Sequence, residues 1–287
     1  MKLVFIHGRA QQGKDPLLLK QIWTDAWVSG LKKNDLSLPP AAEIIFPFYG
    51  DLLDDLVTQA QLPHDMEKAL SRGDESTPDL NFFNDFLTEI AKNEKISDSD
   101  ILAHFEGEPR DRGPLNWNWV QAILKALDKS PLGNISIKKF TYDAYLYLTI
   151  PIIQRKVNEL VSDLIPDEKC VVVGHSLGSA VGYNVLKSNA NFNVKKYITI
   201  GSPLGLQSFS SKLETPIGMP DCIKNGWFNA YDERDVVALQ PLDENHFNIT
   251  PSILNYNKVK NSTNNRHGIE GYLDDPIVAK MIFDSLN

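Results

Sequence analysis

Short apolar segments alternate along the chain with longer segments in which apolar residues recur every three or four positions. This alternation is typical of a parallel sheet with helices on both faces. The apolar segments predict strands from Leu3 to Ile6, Glu43 to Phe48, Cys170 to Val173, Tyr197 to Ile200 and Trp227 to Tyr231, with a less distinct one between Ile253 and Val259. We therefore expect an α/β fold with a mainly parallel central sheet flanked by helices.

Three helices have recognisable boundaries. The periodic patterns predict helices from Pro16 to Leu31, from Ile153 to Leu164 and from Pro276 to Leu286. Asp15 before Pro16 is typical of a helix start, and Pro166 closes the second helix. Either Asp274 or Asp275 could cap the third.

Residues 51–150 interrupt this alternation. They contain charged, turn-rich pieces between helical patterns, such as those from Leu80 to Ile90 and from Trp119 to Leu127. A segment of this length without strand patterns is more typical of an inserted helical unit than of one loop. The sequence thus predicts a core formed by residues 1–50 and 151–287, and a helical cap or lid formed by residues 51–150.

The composition fits a globular protein and narrows its partners. Hydrophobic residues make up 42% and charged residues 23% of the 287 residues, near globular averages. The 29 basic and 37 acidic residues give a net charge of −8. Because nucleic acids and anionic membrane surfaces bind clustered positive charge, we expect neither as a partner. No apolar segment approaches the ~20 residues of a membrane span, so we expect no stable membrane insertion.

The two cysteines, Cys170 and Cys222, favour a reducing compartment. They are too few for a disulfide framework, and their spacing is not that of metal ligands. The apolar segment from Leu3 to Ile6 is too short for the core of a signal peptide. We expect a cytoplasmic protein with reduced cysteines, no metal site and no cofactor.

The most informative motif is Gly174-His175-Ser176-Leu177-Gly178, which follows an apolar strand and precedes a helical pattern. In a sharp turn from strand to helix, glycines on either side of the serine avoid clashes that Cβ atoms would cause. Such a turn lifts the serine hydroxyl clear of the sheet, with the helix N-terminus beneath it. The motif therefore predicts that Ser176 is a nucleophile.

At these residues the chain resembles the α/β-hydrolase superfamily, specifically its serine esterase and lipase-like members. The resemblance rests on Val172 to Ser179, on His7-Gly8 after the first strand and on Gly201-Ser202-Pro203 after the strand that follows the serine. It covers residues 1–50 and 151–287. It implies a catalytic triad in the order serine, acid, histidine, with the acid after a later strand and the histidine after the last one.

The acid is expected in the turn after the strand from Trp227 to Tyr231. Asp235 resembles the family pattern of an Asp followed by Val and usually Pro, although Val237 stands here in the place of the proline. We prefer Asp235 to Asp232 because an orienting carboxylate needs packed neighbours. Asp232 and Glu233 are expected to be solvated turn residues, and Asp232 is the alternative acid.

Chain order leaves two histidines as the base, His246 and His267. His267 lies among polar, turn-forming residues before the last helix, where the family places its histidine, so it is preferred and His246 is the alternative. Backbone N–H groups would stabilise the oxyanion that forms during acyl transfer. One would come from Leu177 and, by resemblance, the other from Arg9.

A competing motif overlaps the loop that contains Arg9. The segment from Gly8 to Lys14 matches a phosphate-binding P-loop, except that Asp15 replaces the Ser or Thr that binds Mg²⁺. A carboxylate there would repel phosphates, and Pro16 removes one N–H donor. Nucleotide binding is therefore the least favoured hypothesis.

Together the motifs predict a serine hydrolase that cleaves a small-molecule carboxylic ester through an acyl-enzyme on Ser176. Thioester, amide or acyl-transfer chemistry would use the same residues. Aromatic residues of the cap could line an apolar pocket or lid for an acyl or lipid group, although aromatic residues at helical spacing more often form the core of such a cap. They are Phe82, Phe83, Phe86, Trp117 and Trp119. The alternative is a non-catalytic binding protein, since a fold can persist after its chemistry is lost.

Overall fold

The computed structural model of the chain describes residues 1–8, 11–60, 80–107, 117–128, 137–264 and 266–287. Its strands form a six-stranded parallel sheet in the order β2-β1-β3-β4-β5-β6. They are β1 (Lys2–Ile6), β2 (Glu43–Ile45), β3 (Cys170–His175), β4 (Val194–Ile200), β5 (Trp227–Ala230) and β6 (Leu254–Tyr256). The predicted α/β fold is thereby confirmed. The second strand stops short of the predicted Phe48, and Pro47, which has no amide hydrogen to donate, follows its end.

Helices connect and cover these strands. They are α1 (Pro16–Lys32), α2 (Gly50–Gln59), α3 (Leu80–Asn93), α4 (Asp98–Leu102), α5 (Trp117–Asp128), α6 (Ile137–Thr149), α7 (Pro151–Leu164), α8 (Leu177–Ser188), α9 (Gln207–Ser210), α10 (Ile269–Leu273) and α11 (Pro276–Leu286). Asp15 caps α1 as predicted, because its carboxylate accepts the Leu17 N–H at 2.8 Å. Of the two candidates at the last helix, Asp275 is the cap.

The sheet separates two apolar cores. On β1, Leu3 and Phe5 belong to a core formed with α1, α10 and α11, whereas Val4 and Ile6 belong to the core on the opposite face. Successive side chains of a strand point to opposite faces, so an entirely apolar strand requires helices on both.

Helices α2 to α6 lie in the segment that interrupts the strand pattern. In the described part of residues 51–150, all regular structure is helical. Side chains of these helices, including Phe83, Phe86 and Ile123, share one core with Val4 and Ile6 of the sheet. The division into core and cap stays a prediction. Within the described ranges, no helix has both the length and the hydrophobicity that a bilayer crossing requires.

The strand order brings the loops after β1 and β3 together. The chain runs from β1 outward to β2 on one side, and from β3 outward to β6 on the other. In open parallel sheets, a crevice forms at the carboxyl ends of the strands where this direction reverses. Gly8 follows β1 and Ser176 follows β3, so both lie at the crevice.

Candidate active site

Ser176 occupies a sharp turn between a strand and a helix. β3 ends at His175, α8 begins at Leu177, and Ser176 between them has φ 55° and ψ −130°. Residues other than glycine rarely adopt a positive φ, because the side chain then clashes with the backbone. Backbone strain of this kind is concentrated at functional sites. The Ser176 N–H donates to the Ile200 carbonyl at 3.2 Å, which anchors the turn to the neighbouring strand.

The glycines that flank Ser176 permit close packing of the backbone. A methyl group at Gly178 would lie 2.3 Å from the carbonyl oxygens of both Ile6 and His7, and one at Gly174 would lie 2.8 Å from the Gly178 carbonyl oxygen. Any Cβ at these distances would displace backbone rather than a flexible side chain. The turn therefore requires glycine at both positions.

The structure brings together Ser176, His267 and Asp235. The His267 Nε2 lies 2.7 Å from the Ser176 Oγ, and its Nδ1 lies 2.7 Å from the Asp235 Oδ2. All three side chains are buried. An ionised carboxylate only accepts hydrogen bonds, so the imidazole proton is on Nδ1 and Nε2 is free to accept the serine proton. This is the arrangement of a nucleophile, a general base and an orienting acid.

The Asp235 carboxylate is fixed by further donors. Its Oδ1 accepts the Val237 N–H at 3.1 Å, and its Oδ2 also accepts the Tyr272 hydroxyl at 2.6 Å. A proline at position 237, as the family pattern would have it, could not make the first of these bonds. Val237 thus departs from the pattern in a way that adds a donor to the buried carboxylate.

The prediction that Asp232 is a solvated turn residue is wrong. Asp232 is buried, and its carboxylate accepts hydrogen bonds from the Arg234 guanidinium at 2.8 and 3.0 Å and from the Asn261 N–H at 2.8 Å. Burial favours the neutral acid, but these bonds outweigh it and hold the pKa of Asp232 below its ordinary value. Glu233 is exposed, as expected. Asp232 therefore fixes the turn that presents Asp235.

The alternative base, His246, has a carboxylate partner of its own. Its Nδ1 lies 2.8 Å from the Asp243 Oδ1, and the pair is partly exposed. His267 is the histidine that contacts Ser176.

Two buried histidines, His7 and His175, form hydrogen bonds that hold the backbone near the site. Chain order excludes both as the base. The His175 Nε2 lies 2.9 Å from the His267 carbonyl, so it donates and fixes the backbone of that residue. Near Ser176, the His7 Nδ1 donates to the Gly8 carbonyl at 2.6 Å, while its Nε2 accepts the Tyr49 N–H at 3.1 Å. Burial lowers the pKa of His7 to about 4 and that of His175 well below its ordinary value. Both rings are therefore neutral near pH 7.

The predicted oxyanion donors are described only in part. Leu177 is the first residue of α8, where a helical N–H has no partner within its own helix. Arg9 lies outside the described residues and stays a prediction. Its neighbour Gly8 is close to Ser176, since a methyl group there would lie 2.9 Å from the Ser176 Cβ and 3.3 Å from its Oγ.

A cavity of about 140 Å³ borders on Gly8. Apart from the loop after β1, its walls come from α2 and α6 of the inserted segment. They include the apolar residues Leu53, Val57 and Leu146 and the polar residues Gln11, Gln12, Asp54, Lys139, Tyr142 and Asp143. The inserted segment thus supplies much of the wall of the cavity that borders on Gly8.

Four of the five aromatic residues considered for a pocket pack inside the protein instead, as the alternative of a cap core expects. Phe82, Phe83 and Phe86 are buried in the core between the inserted helices, and Trp119 packs edge-on against Phe105. The side chain of Trp117 lies outside the described part of the chain. One aromatic residue of the inserted segment that does reach the site is Phe140 on α6, whose ring centre lies 6.2 Å from that of His267, in an edge-on arrangement. Helical spacing predicts burial, but it does not distinguish core from pocket.

Carboxylates accept backbone N–H groups in and directly after the segment that resembles a P-loop. Asp15 accepts the N–H groups of Leu17 and Leu18 at the start of α1, and Asp51 accepts the Gly13 N–H at 2.7 Å. The Gly13 amide is one that a phosphate in this loop would use, and the carboxylates of Asp15 and Asp51 nearby would repel a phosphate. Arg9 and Ala10 of the motif lie outside the described residues.

His, Cys, Asp and Glu side chains form no group of three that could hold a metal ion in the described portion of the chain. Compared with known protein families and with curated proteins, the chain matches no family model and no curated relative.

Proposed function

We propose that this protein is a serine hydrolase of the α/β-hydrolase type that cleaves a carboxylic ester through an acyl-enzyme on Ser176. The observation that carries the proposal is the continuous hydrogen-bonded path from the Ser176 Oγ through the His267 imidazole to the Asp235 carboxylate, with both links at 2.7 Å. Nucleophile, base and orienting acid in this geometry define acyl-transfer sites on unrelated folds.

In the proposed reaction, the His267 Nε2 takes the proton of Ser176 as its Oγ bonds to the ester carbonyl carbon. The carbonyl oxygen becomes an oxyanion, to which the Leu177 N–H donates. Collapse of this intermediate breaks the bond to the alkoxy oxygen, and the proton on Nε2 passes to the departing alcohol. Water, deprotonated by His267, then attacks the acyl-enzyme and releases the carboxylic acid and free Ser176.

We further propose that the group bound next to Ser176 is short and carries hydrogen-bonding atoms. A cavity of about 150 Å³ holds a molecule the size of benzene, and the cavity beside Gly8 has about 140 Å³. A long acyl chain exceeds that space. The wall of the cavity also contains the carboxylate of Asp143, which is buried with 9% exposure. A buried carboxylate favours a ligand with polar groups over a hydrocarbon chain.

Labelling with a fluorophosphonate, which phosphonylates activated serines, tests the reaction class. We expect the wild type to be labelled and Ser176→Ala and His267→Ala to lose labelling, because one removes the attacking oxygen and the other its base. His246→Ala is the matched control and should label at the wild-type rate, since His246 pairs with Asp243.

The location of the label is checked by mass spectrometry of the modified peptide. A folded wild type that takes up no label would favour the non-catalytic binding protein. Label on another residue would contradict the assignment of Ser176 as the nucleophile.

A further inference from the structure

Tyr272 makes a hydrogen bond that the proposed reaction does not require. It lies on α10, shortly after His267 in the chain, and is fully buried. Its hydroxyl donates to the Asp235 Oδ2 at 2.6 Å and accepts the Asp232 N–H at 3.3 Å. The hydroxyl thus connects the backbone of the turn after β5 to the carboxylate that the same turn carries.

The carboxylate oxygen that Tyr272 contacts is the one that contacts His267. Oδ2 of Asp235 accepts both the Tyr272 O–H at 2.6 Å and the His267 Nδ1–H at 2.7 Å, while Oδ1 accepts the Val237 N–H. Three donors from three segments fix the plane of the carboxylate. A donor to Oδ2 also withdraws charge from the oxygen that stabilises the imidazolium form of His267.

We propose that Tyr272 is a positioning residue for Ser176 and His267: its hydroxyl holds Asp235 in line with the imidazole and lowers the basicity of His267. The inference rests on the proposed function, because it concerns the same base. Tyr272 suits this task at all working pH values, since burial and the adjacent Asp235 raise its pKa well above the ordinary value and the hydroxyl keeps its proton.

Other ionisable groups around His267 set the background for this effect. His175 packs against its ring at 4.9 Å and is kept neutral by burial. Asp232, beyond Tyr272, is paired with Arg234. Arg266 precedes His267 in the chain, and its charge acts on Glu94. The Tyr272 hydroxyl bonds to the Asp235 carboxylate and to the Asp232 backbone N–H, so we expect these other side chains to keep their positions in Tyr272→Phe.

The test measures how the rate of fluorophosphonate labelling of Ser176 depends on pH, which needs no knowledge of the natural substrate. In Tyr272→Phe, the midpoint of the acidic limb should rise by about half a pH unit, because the imidazolium form gains stability. The plateau rate should fall about three- to tenfold, because Asp235 loses one of its constraints. Tyr183→Phe is the matched control: this buried tyrosine bonds to Gly218, and its removal should leave the midpoint unchanged.

A second variant reverses the sign of the effect. A ring-fluorinated tyrosine at position 272 keeps the hydroxyl and makes it a stronger donor, so the midpoint should move to lower pH than in the wild type. If circular dichroism shows that Tyr272→Phe does not fold, the shift of the midpoint in the fluorinated variant still tests the inference.

The outcomes separate this inference from the proposed function. If the wild type is labelled on Ser176 but both Tyr272 variants keep its midpoint, Tyr272 is a structural residue only and the inference is overturned. If the folded wild type is not labelled at all, the proposed function itself fails and the inference fails with it.

Discussion

Asp232 and Asp235 belong to the same turn after β5, but their carboxylates have different partners. Asp232 receives the Arg234 guanidinium and the Asn261 N–H, whereas Asp235 receives the imidazole of His267. Two buried carboxylates so close in sequence are compatible because each is supplied with its own donors. Spacing alone could not assign them, since either could follow the strand.

The two aspartates should therefore respond differently to removal of their charge. Asp235→Asn should lower the rate of fluorophosphonate labelling by about 10³- to 10⁴-fold, because the amide favours the wrong imidazole tautomer. Asp232→Asn should label within about threefold of the wild type but unfold at a lower denaturant concentration, because it weakens the hydrogen bonds that a buried carboxylate accepts from Arg234 and from the Asn261 N–H. Equal labelling losses in both variants would contradict this assignment.

At the scale of elements, α6 joins the inserted segment to the site. It carries Phe140 against His267 and contributes Lys139, Tyr142, Asp143 and Leu146 to the wall of the cavity. Residues 140–148 of this helix are all buried, and its apolar side chains belong to the core that the inserted helices share with the sheet. One buried helix thus contributes both to the packing of the insertion and to the wall of the cavity beside Gly8.

This arrangement predicts a preference for short esters. p-Nitrophenyl acetate and butyrate should be hydrolysed faster than the octanoate and laurate, because the longer chains exceed the cavity. Leu146→Ala, which removes part of its wall, should shift the preference toward longer chains. Leu148→Ala on the same helix is the control: it removes a buried leucine outside that wall and should leave the order unchanged. Rates that rise steadily with chain length would instead support the lipid hypothesis.

At the scale of the whole molecule, the site depends on where the strand order reverses. β1 and β3 are neighbours at the centre of the sheet, and the loops that follow them carry Gly8 and Ser176. The turn after β5 and the segment before α10 bring Asp235 and His267 to the same edge. Two neutral histidines are buried beneath these loops, which couples the stability of the fold to pH.

Stability should fall as the pH drops below about 6.5, the ordinary pKa of histidine. Between that value and the pKa of His7, which is about 4, the unfolded chain binds a proton that the folded chain does not. The free energy of unfolding should then decrease by about 1.4 kcal/mol per pH unit for His7, and His175 adds in the same direction.

Urea denaturation at pH 7 and pH 5 measures this dependence. His7→Gln should be less stable than the wild type at pH 7 but lose less stability on acidification, because it has no imidazole to protonate at that position. His246→Gln, at a partly exposed position, should keep the wild-type difference. A pH dependence of His7→Gln equal to that of the wild type would show that other groups cause it.

Local patterns were sufficient to predict the strands, the capped helices and the turn at Ser176, because periodicity, capping and backbone sterics act over a few neighbouring residues. The resemblance to α/β-hydrolases, together with chain order, indicated Asp235 and His267, which lie in contact with each other. The burial of Asp232, the support from His7 and His175, and the cavity wall on α6 follow from the packing of segments far apart in the chain. The same holds for the Tyr272 hydroxyl: α10 is not among the helices that the sequence predicts, and only the tertiary structure brings this hydroxyl to the Asp235 carboxylate.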